Sequence, residues 1–133
     1  MLKKKLKIKL DLLQKILFNT FFGEATPIYS ALQTLPVDIL GLDLVSDPGL
    51  ADVVASDGSD KPLSLGLLDG RNTRVEDPFR LLETLTRATG KLRSERCFLT
   101  TSCGLEFLPR EVARKKIERA CEVKRLFLDG GGS

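Results

Sequence analysis

The sequence predicts an α/β fold built from consecutive strand-then-helix units, and three observations carry that reading. Short apolar runs of strand length recur along the chain: Ile16 to Phe18, Ile39 to Val45, Leu63 to Leu68 and Cys97 to Leu99. Three of them are followed by a capping residue and a proline, as Thr26-Pro27, Asp47-Pro48 and Asp77-Pro78. Beyond the third and fourth runs, apolar residues take up helical spacing. A repeated strand, turn, cap and helix is the grammar of α/β proteins.

Residues 5–12 come first and alternate, with Leu6, Ile8, Leu10 and Leu12 on one side and Lys5, Lys7, Lys9 and Asp11 on the other. A period of two reads as an extra strand with one wet face. A Lys-rich solubilising leader fits the same residues, and both readings stay open. From Lys15 the units begin. A Thr or Asp before a helix accepts a bond from a free amide of the first turn, and proline suits the first helical position because its missing N–H would have gone unpaired. The fourth helix is expected to start near Pro109, with Glu111 well placed against the positive helix start. Phe79, Leu82, Leu85, Thr86 and Thr89 form the predicted buried stripe of the third helix. Val112, Ala113, Ile117, Ala120 and Cys121 form that of the fourth. The runs Ile39 to Val45 and Leu63 to Leu68 are nearly all apolar, as strands of a parallel sheet covered on both faces must be. The expected layout is a leader or extra strand over 1–14, a domain of four βα units over 15–128 and a flexible tail over 129–133. About half of a TIM (β/α)8 barrel has this length, and so does a free-standing doubly wound sheet of flavodoxin-like order.

Composition narrows the functions. The 133 residues suit one modest domain, and mixed charges beside 42 % apolar residues describe an ordered globular chain. The absence of histidine removes the commonest general base, the Ser-His and Cys-His pairs and every zinc site that needs an imidazole. Three cysteines without a CxxC pair, and no signal-peptide pattern at the start, argue against a disulfide framework and for a reducing cytoplasm. No apolar stretch is long enough to cross a bilayer. With no Trp and one Tyr, and a net charge of +3 owed largely to Lys3, Lys4, Lys5, Lys7 and Lys9, no nucleic-acid partner is expected.

Function in either α/β architecture gathers at the carboxyl ends of the strands. Those positions hold Asn19, Thr20 and Phe21; Asp43, Ser46 and Asp47; Asp69, Arg71 and Asn72; Thr101, Ser102 and Cys103. Asp43 stands out, because a carboxylate inside an apolar run costs several kcal/mol to bury without a partner. That partner is a ligand, a basic group or a loop amide. Asp69, Arg71, Asn72 and Ser102 are candidates for binding a small polar molecule, although Asp-Gly-Arg-Asn is also ordinary turn chemistry. Cys103, in a polar loop before Gly104, is a candidate metal ligand with Asp43, whereas Cys97 and Cys121 sit in apolar patterns as small core residues.

Several of these stretches, taken in order, resemble the strand-end motifs of the cobalamin-independent methionine synthase family. They are Asn19-Thr20-Phe21-Phe22-Gly23, Leu35-Pro36-Val37-Asp38, Gly41-Leu42-Asp43-Leu44-Val45, Leu63 to Asn72 and Ser102-Cys103-Gly104-Leu105, and the resemblance spans roughly residues 16–125. It implies the second half of a barrel domain. Enzymes of that family move a methyl group from methyltetrahydrofolate polyglutamate to a zinc-activated homocysteine thiolate. By resemblance, Asp43 takes the acidic zinc-ligand position and Cys103 the final cysteine, while the places of the missing His and Cys fall near Asn19 and Phe21. Thr20-Phe21-Phe22-Gly23 and Asp69-Gly70-Arg71-Asn72 are closer to the N-terminal barrel, which lacks zinc and is thought to help bind the folate tail. Cys103-Gly104-Leu105-Glu106-Phe107-Leu108-Pro109-Arg110 resembles the catalytic barrel and the short archaeal-type relatives. The expectations are a partial domain inactive alone, with at most weak zinc binding through Asp43 and Cys103. Its open sheet edges are expected to be covered by a second copy or by a complementary half-barrel chain. The alternative is a non-enzymatic α/β module, or an inactive barrel fragment, that binds a small ligand.

Overall fold

The computed structural model describes residues 14–92 and 96–130. The expected extra strand and Lys-rich leader fall almost wholly outside them. Four βα units follow one another, as β1 (Leu17–Asn19), α1 (Tyr29–Gln33), β2 (Ile39–Asp43), α2 (Leu50–Asp57), β3 (Leu63–Leu68), α3 (Pro78–Thr89), β4 (Cys97–Thr101) and α4 (Arg110–Gly130). A 3-10 turn, Thr26–Ile28, leads into α1. The strands form one open sheet in the order β1-β2-β3-β4, and every neighbouring pair is parallel. Sequential parallel order with a helix after each strand is the architecture of half a (β/α)8 barrel. A doubly wound sheet would reverse its order at a switch point, which this one does not.

Register divides the sheet into two faces. Phe18, Leu40, Leu63 and Cys97 share one row, and Asn19, Gly41, Ser64 and Phe98 share the next. Side chains alternate along a strand, so these rows point to opposite sides. Leu40, Leu42, Leu63 and Leu65 bury themselves with Leu50, Val54, Leu81 and Leu85 of α2 and α3, which makes theirs the helix-covered face. The other face is mostly small or polar, with Gly41, Ser64, Gly66 and Thr100 in β2 to β4. It corresponds to the interior of a barrel.

Two of the three cap-and-proline signals work differently from the sequence reading. Asp77 caps α3 as expected, accepting from the amides of Phe79 and Arg80 at 3.0 Å each. Thr26 caps nothing, and α2 begins after Gly49 without a side-chain cap. Asp47 reaches back instead to the preceding unit, where its Oδ2 accepts from the Ala25 amide, the Thr26 amide and the Thr26 hydroxyl, all at 2.8 Å. The carboxylate thus joins the start of the first helical segment to the end of β2.

The helical stripes are also rotated from their expected positions. In α3 the buried residues are Leu81, Leu85, Ala88 and Thr89, and Phe79 is 68 % exposed. In α4 the buried residues are Lys116 and Val123, with Ala120 and Phe127 packed against the core, whereas Ile117 and Cys121 are exposed. Position 116 belongs to the inward face because its ammonium has a partner there. The helix continues through Gly130, two residues beyond the domain end expected at 128.

Candidate functional site at the strand ends

The end of β2 is set by a side chain that turns the chain. Asp43 ends β2 two residues before the apolar run does, because its Oδ1 accepts the amides of Val45 and Ser46 at 3.0 Å each and curls the chain into a turn. Its Oδ2 accepts the Ser46 hydroxyl at 2.6 Å and the Phe22 amide at 3.2 Å, while its own amide donates to Thr20 Oγ1 at 2.9 Å. With 2 % of its surface exposed, this carboxylate has the loop-amide partners that were one of its open readings. Phe22 has a φ of +47°, a region bulky side chains seldom adopt, and its amide bond to Asp43 helps hold it there.

Arg71 links the three loops. Its Nη2 donates to Ser46 Oγ at 3.0 Å, its Nε pairs with Asp69 Oδ1 at 3.4 Å, and its guanidinium carbon lies 4.8 Å from the centre of the Phe22 ring. Asp43, Ser46, Arg71 and Phe22 therefore make one continuous network from the loops after β1, β2 and β3. Cation and ring attract through the ring's quadrupole. The face of Phe22 away from this contact is open, since the residue is 71 % exposed. Asp69 and Asn72 close the turn around Arg71: Asp69 Oδ1 accepts the Arg71 amide at 2.8 Å, Asp69 Oδ2 accepts Asn72 Nδ2 at 2.6 Å, and Asn72 Oδ1 accepts the Arg74 amide at 3.0 Å. The turn chemistry of Asp-Gly-Arg-Asn is present, and it serves to present the arginine.

Ser102 and Cys103 reach the same rim from β4. The Ser102 amide donates to the Leu68 carbonyl at 2.7 Å, and its Oγ accepts the Gly70 amide at 3.3 Å. A Cβ on Gly70 would lie 2.7 Å from Cys103 Sγ and 2.8 Å from the carbonyls of Cys103 and Gly104, so this approach requires glycine. Beneath the rim lies a pair the sequence reading missed. Lys116 of α4, with no exposed surface, donates to Glu76 Oε1 at 2.8 Å and to the Arg74 carbonyl at 2.7 Å, and Glu76 Oε1 also accepts the Asp69 amide at 2.7 Å. A lysine at helical spacing with Ala113, Ala120, Val123 and Phe127 was the signal for it.

Asp43 and Cys103 lie at the same end of the sheet with β3 between them. Among the described residues, no three His, Cys, Asp or Glu side chains gather where one metal ion could be held. Both Asp43 oxygens are already engaged by loop donors. This donor set does not fit zinc, which takes three or four protein ligands. Burial raises the pKa of the Cys97 thiol, an effect that Arg96 partly opposes, consistent with a thiol inside the fold. Two cavities open along α4. One of about 890 Å³ flanks the outer side of α4, and one of about 740 Å³ opens between α3, β4 and α4.

The family model for the N-terminal domain of cobalamin-independent synthase matches residues 4–93. The chain belongs to the cobalamin-independent methionine synthase family. Proteins named 5-methyltetrahydropteroyltriglutamate–homocysteine methyltransferase are its relatives. That of Neisseria gonorrhoeae is 41 % identical over 95 residues, covering 71 % of this chain and 12 % of the relative. That of Ralstonia pickettii is 32 % identical over 132 residues, covering 87 % and 17 %. A solved B12-independent methionine synthase from Shewanella sp. W3-18-1, in complex with selenomethionine, superposes with a TM-score of 0.60 at 22 % identity, over 77 % of this chain and 31 % of that one, which supports the fold. This chain spans only about an eighth to a sixth of those two methyltransferases. The match to the N-terminal domain agrees with the wording at Thr20-Phe21-Phe22-Gly23 and Asp69-Gly70-Arg71-Asn72. The Cys103-Gly104-Leu105 motif lies beyond the residues that model covers.

Proposed function

We propose that this chain is a non-catalytic, ligand-binding half-barrel of the methyltransferase family, and that its strand-end rim takes the anionic polyglutamate tail of a pteroylpolyglutamate. The observation that carries this reading is the mounting of Arg71. Asp69, Ser46 and Phe22 fix the guanidinium on three sides, and its Nη1 has no partner among the described residues. A planar fork held in place suits a carboxylate, because little side-chain freedom is left to lose on binding. Ser102, Asn72 and Asp69 would shape the surroundings, and the exposed ring of Phe22 offers an apolar surface beside the charge.

Methyl transfer is not part of the proposal. The donor set does not suit zinc, and no histidine is present to serve as a base. Among the described residues no helix is long and apolar enough to cross a membrane, in keeping with the cytoplasmic site we propose. Thermal-shift measurements with methyltetrahydropteroyltriglutamate, homocysteine and methionine test the reading, since a ligand of the native state raises the melting temperature by mass action. The triglutamate is expected to raise it and homocysteine to leave it unchanged, with no methionine formed. Methionine production by the purified chain, or stabilisation by homocysteine alone, would overturn the proposal.

A further inference from the structure

The two edges of the sheet differ, and both are apolar. At β1, Leu17 and Phe18 are nearly half exposed, and at β4, Phe98 is half exposed. Behind β4, Ile117 and Leu128 stand out from α4 beside the cavity of about 740 Å³, which Cys97, Leu99 and Cys121 also line. Ile117, Cys121 and Leu128 lie on one side of the helix, and the first two belong to the stripe expected to be buried. The chain therefore carries an apolar helix face and two strand edges without cover among its described residues.

We infer that a second copy of this chain covers them, β4 of each copy pairing with β1 of the other to close a two-fold, eight-stranded parallel barrel. Three features support a second copy. A parallel sheet ordered β1-β2-β3-β4 has unlike edges that run in the same direction, so a two-fold axis along the barrel brings β4 of one copy beside β1 of the other in parallel. The four strands among the described residues, doubled, make the eight of a closed barrel. The sides also correspond. Phe18 shares the helix-covered row with Cys97, so Phe18 of the second copy would enter the cavity under Ile117 and Leu128. Leu17 lies on the inner side with Phe98 and would meet it there.

Leu17, Phe18, Phe98, Ile117 and Leu128 together present on the order of 500 Å² per copy, more than half of the about 800 Å² per partner that a stable pair needs. Main-chain pairing at two junctions adds to it. Closure would also complete the rim, setting the Cys103 loop of one copy beside the Phe21 and Phe22 loop of the other. This pairing stands apart from the ligand reading, because it rests on the edges and not on Arg71.

Size-exclusion chromatography with light scattering on the full chain is the test. Twice the chain mass is expected at micromolar concentration. Phe18→Asp and Ile117→Lys alter half-exposed side chains, so each is expected to keep the wild-type circular dichroism and to run as a single copy. Mixing the two variants should restore the pair, since one junction is then wild type and the other joins opposite charges. A wild-type chain that stays single, a mass that grows without limit with concentration, or a pair that neither substitution weakens would overturn the inference.

Discussion

Replacing Asp47 by alanine tests the first joint of the fold. One oxygen of this buried side chain accepts three bonds at 2.8 Å, from the amides of Ala25 and Thr26 and from the Thr26 hydroxyl. Ala25 is itself buried, so its amide has no water to turn to once the acceptor is gone. An orphaned buried donor costs about 1–3 kcal/mol, and hydrogen bonds to a charged acceptor contribute about 1.5–3 kcal/mol. With the bonds sharing one oxygen, these costs overlap, and a total loss of about 3–4 kcal/mol is expected. For a domain of this size that is a fall in melting temperature of roughly 10–15 °C. The loss also depends on pH. Burial raises the pKa of Asp47, but the bonds from Thr26 and Ala25 outweigh it and hold the carboxyl below its ordinary value of 3.8. The stability it supplies is therefore complete above pH 3.8 and fades as the pH falls through the lowered folded value. Urea denaturation followed by circular dichroism should show the full gap between wild type and Asp47→Ala at pH 7, and a gap that narrows in acid. A difference under about 1 kcal/mol at pH 7, or one that widens in acid, would refute the assigned role.

Three further outcomes follow from the geometry. Gly70→Ala should cost about 2–3 kcal/mol in urea denaturation, because the new methyl meets main-chain carbonyls, whereas Gly41→Ala should cost less, about 1–2 kcal/mol, because its closest clash is the end of the Asn19 side chain, which can rotate away, and only a tight approach to the Asn19 Cα remains. Lys116→Ala should destabilise by about 2–4 kcal/mol through a cavity and an unpaired Glu76, and Lys116→Met by less, because its stem still fills the space while Glu76 stays unpaired. Phe22→Gly should be nearly neutral in thermal unfolding, as relief of the left-handed backbone offsets the lost contact with Arg71, while Phe22→Val should cost more than about 1 kcal/mol.

Much of the fold is local and was legible for that reason. Apolar runs and cap-proline pairs placed all four units, and Asp77 caps the helix it precedes. Asp43 was readable as a carboxylate in need of partners, since its burial followed from the run around it. What could not be read is what depends on distant segments meeting. Asp47 and Thr26 both carry the cap signature, and only the packed fold shows that one serves the other's segment. The stacking of Arg71 on Phe22 joins residues 49 positions apart, and no local pattern predicts it. In α4 the stripe with Ile117 and Cys121 is the more apolar, yet the core takes the stripe containing Lys116, whose charge is met by Glu76 from another unit.

The most direct measurement of the central claim is a calorimetric comparison of pteroyltriglutamate with the monoglutamate, on the wild-type chain and on Arg71→Gln. If the arginine mounted on the rim takes the tail, the wild type will bind the triglutamate about tenfold or more tightly than the monoglutamate, and Arg71→Gln will bind both alike. Equal affinities in the wild type, or a preference that survives the loss of the guanidinium, would contradict it.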